Sequence, residues 1–271
     1  MMEEKELTDK DKAKEKTGPV RRIRLKVAYD GTNYHGWQIQ PNGVTIESEL
    51  NRALTALCGK NIEVIGASRT DSGVHARCNY AVFDTDMRMP ASKFPYALNQ
   101  RLPQDIRVRE AVEVEADWHP RRCSSIKTYE YRIFNEEFAD PLNRLYAYFT
   151  YRKLDVDKMQ KAAQYLVGEH DFKSFCSIHT QAETTVRTIT GICVEKNGSI
   201  ITIRVSGTGF LYNMVRIIAG TLMEIGSGKY PPERVKMMLE ATDRGCAGPT
   251  APPEGLTLAD YVFLEKIQNF S

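Results

Sequence analysis

The chain has 271 residues, 42% hydrophobic and 27% charged, the make-up of an ordinary folded protein of about two domains. Its 37 Lys and Arg against 35 Asp and Glu leave a net charge of only +2, so global charge does not mark it as a nucleic-acid binder. No apolar run reaches the roughly 18 residues a membrane-spanning helix needs; the best stretch, 210–225, is broken by Asn213, Arg216 and Glu224.

Residues 1–20 carry six acids and five lysines with almost nothing to bury, and read as a disordered, charged tail without the apolar core of a secretory signal. From Arg21, Ile23, Leu25, Val27 and Tyr29 alternate with Arg22, Arg24 and Lys26, which predicts a half-buried strand. Asp30-Gly31 opens a turn-rich loop. Ile46, Leu50, Ala53, Leu54 and Leu57 then form one helical face, with Glu47 and Glu49 in the first turn. Strands over 62–67 and 79–84 flank a loop at 69–76, and a short helix near 91–102 and a strand near 106–115 complete a β-α-β-β-α-β order.

A connection over 118–125 leads to a second half with the same order. Residues 127–135 read as a strand, and Asp155 as the cap of a helix burying Val156, Met159, Ala162, Ala163 and Leu166. Strands over 185–195 and 199–206 meet at Asn197-Gly198, a two-residue hairpin signal. A helix over 210–225, another opening at Pro231 or Pro232, and a strand over 256–264 follow. The expected architecture is α+β: a tail at 1–20, an N-terminal domain at 21–120 and a C-terminal domain at 121–271, each a ferredoxin-like unit.

The densest polar stretch is Arg69-Thr70-Asp71-Ser72-Gly73-Val74-His75-Ala76. Asp, Ser and Gly are ordinary turn residues, but Arg69 two residues before Asp71 can help keep that carboxylate ionised. An ionised aspartate can serve as nucleophile, general base or oxocarbenium stabiliser. Most glycoside hydrolases need two carboxylates, and the motif has one. Arg216 stands inside an apolar helix pattern; it either snorkels to the edge of the core or pairs with a carboxylate such as Asp71 or a substrate phosphate.

Between residues 118 and 132, Arg121, Arg122, Lys127 and Arg132 interleave with Tyr129 and Tyr131. Cations suit RNA phosphates and rings suit unstacked bases, although alternation also allows both tyrosines to pack in a core. Arg21, Arg22, Arg121, Arg122 and Lys127 are the expected local basic surface. Ser206-Gly207-Thr208-Gly209 lacks the third glycine of a dinucleotide loop, since Tyr212 occupies that position. His35, His75, His119, His170 and His179 show no metal-ligand spacing and read as structural. Cys58, Cys78, Cys123, Cys176, Cys193 and Cys246 form no CxxC pair, so neither a disulfide framework nor a structural zinc is expected, in keeping with a reducing cytoplasm.

Four segments together resemble the tRNA pseudouridine synthases that modify uridines 38 to 40 of the anticodon stem-loop. They are Tyr29-Asp30-Gly31-Thr32 with Gly36-Trp37-Gln38, the octet at 69–76, Lys127-Thr128-Tyr129-Glu130-Tyr131-Arg132, and Phe210-Leu211-Tyr212-Asn213-Met214-Val215-Arg216. The resemblance covers the chain from Arg21 onward. It implies Asp71 as the catalytic aspartate, Tyr129 as a substrate-contacting tyrosine, and Arg69 and Arg216 as supporting cations. It further implies an isomerisation that needs no cofactor or metal, a mostly antiparallel continuous sheet with a central catalytic cleft, tRNA as partner, and a homodimer. Two other classes fit the residues alone: a non-catalytic RNA-binding protein, and a nucleosidase that would need a second carboxylate.

Overall fold

The computed structural model describes residues 17–264 except 179 and 181. Residues 1–16 of the expected tail, and His179, lie outside the described residues. The first half contains β1 (Thr17–Tyr29), α1 (Ile46–Cys58), β2 (Ile65–Gly66), β3 (His75–Met87), α2 (Phe94–Asn99) and β4 (Ile106–Val114). The second contains β5 (Ser125–Asn135), β6 (Tyr148–Thr150), α3 (Val156–Gln164), β7 (Gly168–Asp171), β8 (Val186–Asn197), β9 (Ile200–Gly207), α4 (Met214–Gly226), α5 (Arg234–Ala241) and β10 (Leu256–Phe263).

Among the described residues all ten strands belong to one sheet, ordered β4-β1-β3-β10-β5-β9-β8-β7, with β2 on β3 and β6 on β5. Each half keeps the ferredoxin-like neighbour order: β4-β1-β3-β2 in the first and β10-β5-β9-β8 in the second. The halves join where β10 runs parallel to β3, pairing Thr257 with His75 and Leu258 with Ala76. The other pairings are antiparallel except β5 with β6. The fold is α+β with a large, mostly antiparallel sheet. No helix among the described residues is long and apolar enough to cross a membrane.

Local chemistry explains most elements. In β1, Ile23, Leu25, Val27 and Tyr29 are buried as the alternation requires. The opposite face is not open at Arg24, however: its guanidinium lies 5.3–5.6 Å from the ring centres of Tyr80, Trp118 and Phe263, with Glu110 at 3.6 Å. Thr45 and Ser48 form a capping box at the start of α1, which buries Ile46, Leu50, Ala53 and Leu54. Each fully buried Leu or Ile there stabilises by roughly 1.5–3 kcal/mol. The Asp155 side chain accepts from the Lys158 N–H and opens α3, which packs on α4 and β8.

Some boundaries differ from the sequence expectation, each for a tertiary reason. β1 begins at Thr17, inside the expected tail, because Thr17 pairs with Met87. β2 is two residues long rather than six. β3 starts at His75, so the end of the polar octet is strand; β1 and β10 flank it there. β5 starts at Ser125, which places Tyr129 inside the strand rather than at its beginning. The β8–β9 loop is Gly198-Ser199, one residue later than expected, with Gly198 at φ 56°. α4 begins at Met214; Asn213, at φ 60°, precedes it, so Tyr212 and Asn213 belong to a loop rather than a helix face.

Candidate active site

The loop between β2 and β3 is held from several sides. Val74 N–H donates to the Asp71 carbonyl (3.1 Å) and Gly73 N–H to that of Tyr34 (3.2 Å). Trp37 N–H donates to the Thr70 carbonyl (3.0 Å), and the Thr70 hydroxyl lies 2.7 Å from that of Tyr29. Asn79 bridges the base of the loop, donating to the Ser68 carbonyl (2.9 Å) and to the Tyr29 hydroxyl (3.2 Å). Gly36, at φ 84°, lies so close that a Cβ there would stand 2.6 Å from the Thr70 carbonyl oxygen. The 29–38 motif is therefore the wall against which the Asp71 loop is packed.

Asp71 is about one-fifth exposed and faces Arg216, with Nη1 3.5 Å from Oδ2. Arg216 is fixed by two shorter bonds: Nε donates to the Ala251 carbonyl (2.7 Å) and Nη1 to Asn213 Oδ1 (2.8 Å). The positive φ of Asn213 places this acceptor just ahead of α4. Of the two readings for Arg216, pairing with Asp71 is the one found. Arg69, by contrast, is exposed on the same loop and takes no part in the ion pair. The Thr70 side chain is anchored inward, and Arg69 before it is left at the surface.

Burial raises the Asp71 carboxyl above the ordinary aspartate value, and the charge and hydrogen bond of Arg216 oppose this without cancelling it. From the sequence, Arg69 is expected to shift this carboxylate downward; desolvation reverses the sign. Tyr129 is buried, and its phenol is pushed far upward, first by burial and then by nearby groups that include Tyr29 and Asp71. Its ring meets Phe210 edge-on at 5.1 Å. Tyr131 shares its face of β5, as alternation requires, but commits its hydroxyl to the Pro252 carbonyl (2.9 Å).

Asp71, Tyr129 and Phe210 open into a cavity of about 820 Å³, lined also by His35, Arg69, Arg121 and Lys127. Three cations and one carboxylate thus line the same cavity. Burial and the charge of Arg187 lower the Lys127 pKa, as expected of an ammonium held near another cation. Arg21 and Arg22 are not part of this surface: Arg21 pairs with Glu113 (3.0 Å), and Arg22 grips both oxygens of Asp84 at 2.8 Å. Asn79, Asn213 and the Tyr29 hydroxyl are supports that sequence reasoning does not single out. Only the motif membership of Asn213 and Tyr29 hints at them.

Ser206-Gly207-Thr208-Gly209 has a packing purpose: a Cβ on Gly207 would lie 2.7 Å from the Thr188 carbonyl oxygen. Among the described residues, no three His, Cys, Asp or Glu side chains gather as metal ligands do.

A cavity lined by Arg69, Arg121 and Lys127 thus opens beside a half-buried aspartate–arginine pair, where two ferredoxin-like halves meet, and cations so placed suit a polyanion. A family model described as tRNA pseudouridine synthase matches residues 26–121 and 162–263. The chain belongs to that family. It is 46% identical over 244 residues to tRNA pseudouridine synthase A of Acetivibrio thermocellus and 47% identical over 244 residues to that of Brevibacillus brevis, covering 90% of this chain and all of each relative. Against tRNA pseudouridine synthase A of Halalkalibacterium halodurans it is 47% identical over 238 residues, 88% of this chain and 90% of the relative.

Proposed function

We propose that this protein isomerises uridine to pseudouridine in the tRNA anticodon stem-loop, at positions 38, 39 and/or 40, with Asp71 as the catalytic carboxylate. The observation that carries the reading is the Asp71–Arg216 pair at the edge of the basic cavity, in a chain of this family. The N1–C1′ bond of uridine breaks and a C5–C1′ bond forms; C5 loses a proton and N1 gains one, with no net oxidation. Nothing external is added, so one carboxylate suffices where hydrolysis would need a second to activate water.

The target base must leave its stack, at a cost of a few kcal/mol, before Asp71 can reach it. Arg69, Arg121 and Lys127 line the cavity that receives it and hold the flanking phosphates. Asp71 acts as nucleophile on C1′ of the ribose or C6 of the uracil, and either attack needs its ionised form. Arg216 keeps that form accessible in spite of burial. Tyr129 offers its ring to the uracil. Its phenol stays protonated at neutral pH, so its part in moving the C5 proton is a hydroxyl relay rather than a free phenolate.

Incubating unmodified tRNA with the protein tests the reading. Pseudouridine is expected at one or more of positions 38, 39 and 40, read separately in tRNAs carrying one target uridine each. Unchanged RNA that remains bound would instead mark a binding module, and free uracil a nucleosidase. Two domains at 21–120 and 121–271, a cytoplasmic location and a homodimer accompany this reading; the first rests on the repeated element order, the second on the scattered cysteines, and the third on the family resemblance.

A further inference from the structure

We propose that His75 is a positioning residue of this reaction, tying the Asp71 loop to the segment that anchors Arg216. His75 is buried at the first position of β3, four residues after Asp71, and does not line the cavity. Its Nδ1 accepts the Gly31 N–H (3.0 Å) and lies 3.1 Å from Asp30 Oδ1. A backbone donor aimed at Nδ1 assigns the ring proton to Nε2, which then donates to the Glu254 carbonyl at 3.2 Å. The ring is covered by Tyr146 at 5.2 Å, whose hydroxyl donates to Asp30 Oδ2 (2.6 Å).

Three carbonyls of the short segment 251–254 each hold a side chain from a different element. Ala251 accepts Arg216 of α4, Pro252 accepts Tyr131 of β5, and Glu254 accepts His75 of β3. The Pro253 ring also rests on the catalytic loop, where a Cβ added to Gly73 would stand 2.9 Å from its Cγ. The loop bearing Asp71 and the carbonyl holding Arg216 are thus joined through His75 and this segment. At 3.5 Å the Asp71–Arg216 pair has little reserve, so a small slip on either side separates the charges. Misplacing reacting groups by about 1 Å can cost on the order of 10²-fold in rate.

The inference rests on the proposed reaction but is testable apart from it, using the full chain. In His75→Asn the amide oxygen can replace Nδ1 for the Gly31 N–H, but nothing reaches Glu254. In His75→Gln the amide nitrogen reaches Glu254, and the Gly31 acceptor is lost. His75→Asn is expected to slow single-turnover pseudouridine formation by about 10²-fold with tRNA affinity little changed, and His75→Gln to lose far less.

The second readout needs no substrate. The charged and titratable groups facing Asp71 are Arg216 from α4 and Tyr129 from β5. Carbon-13 NMR of the aspartate carboxyls, with the Asp71 signal assigned by its disappearance in Asp71→Asn, should show the Asp71 pKa rising in His75→Asn and holding in His75→Gln. Equal losses in both variants with an unmoved Asp71 titration would reduce His75 to core packing and overturn the proposal. If His75→Asn does not fold, Tyr131→Phe frees the neighbouring Pro252 carbonyl and should raise the Asp71 pKa in the same direction; an unmoved value there overturns the proposal too. A protein that makes no pseudouridine yet shows these titration shifts would contradict the proposed reaction and leave the positioning network standing.

Discussion

At the scale of single residues, the site is a balance between burying a carboxylate and offsetting that burial with one arginine. On the proposed role of Asp71 as nucleophile, Asp71→Asn, which keeps the shape, should abolish pseudouridine formation while tRNA binding persists; turnover by the folded variant would refute that role. The same substitution should raise the melting temperature at neutral pH. The folded-state pKa of Asp71 lies above its unfolded value, so its ionised form costs stability above both values, and that cost fades as pH falls through the ordinary carboxylate range. Melts of the two proteins should therefore converge on acidification. For activity, the acid limb should lie above the usual aspartate value, and Arg216→Gln should move it higher still. Arg216→Lys keeps charge but loses the fork that holds Asn213 and the Ala251 carbonyl together, so much of its rate should be lost with little change in binding. Tyr129→Phe keeps the ring. If the hydroxyl relays the C5 proton, this variant should bind tRNA normally and slow pseudouridine release by about 10²–10⁴-fold, and a wild-type single-turnover rate would leave Tyr129 as a stacking surface alone.

At the scale of elements, the Asp71 loop takes its shape from the motif that follows β1. Gly36 has both a left-handed backbone and no room for a Cβ, whereas Gly198 in the β8–β9 hairpin has a left-handed backbone and nothing within 4 Å. Comparing Ala at the two positions separates strain from crowding. Gly198→Ala should cost about 1–2 kcal/mol in a urea melt and leave activity intact. Gly36→Ala should lose more stability and also activity, because the Thr70 carbonyl must move and Asp71 follows directly after it. Equal activity in the two variants would show that the 29–38 wall does not set the loop.

For the whole molecule, the parallel pairing of β3 with β10 makes one sheet of two similar halves and sets loops from both around one cavity. With a net charge of only +2, affinity for RNA is expected to depend on where the cations stand. Arg121 and Arg122 lie in the connection between β4 and β5, while Arg21 and Arg22 are held by acids. The double variant Arg121→Ala, Arg122→Ala should flatten the log K against log salt slope by somewhat under one unit for each phosphate that is no longer neutralised. An unchanged slope would remove the connection from the RNA-binding face.

Much of this is legible in the chain itself. Alternation in β1, the apolar face of α1 and the Asp155 cap follow from side-chain periodicity and local hydrogen bonding, which need no distant partner, whereas the short strands β6 and β7 carry no such signal. The octet at 69–76 and Tyr129 stand out because polar and aromatic groups are dense there without an obvious packing need. Tertiary structure decided the rest. That Arg216 rather than Arg69 meets Asp71 depends on α4 crossing to a loop 145 residues away. The upward shift of Asp71 depends on burial, which no window of sequence contains. The early start of β3 at His75, the burial of Arg24 beneath three rings and the use of the 251–254 carbonyls arise from strands and loops that meet only in the folded sheet. Periodicity records what a residue does with its near neighbours; charge pairing, desolvation and strand extension are set by whatever the fold brings alongside.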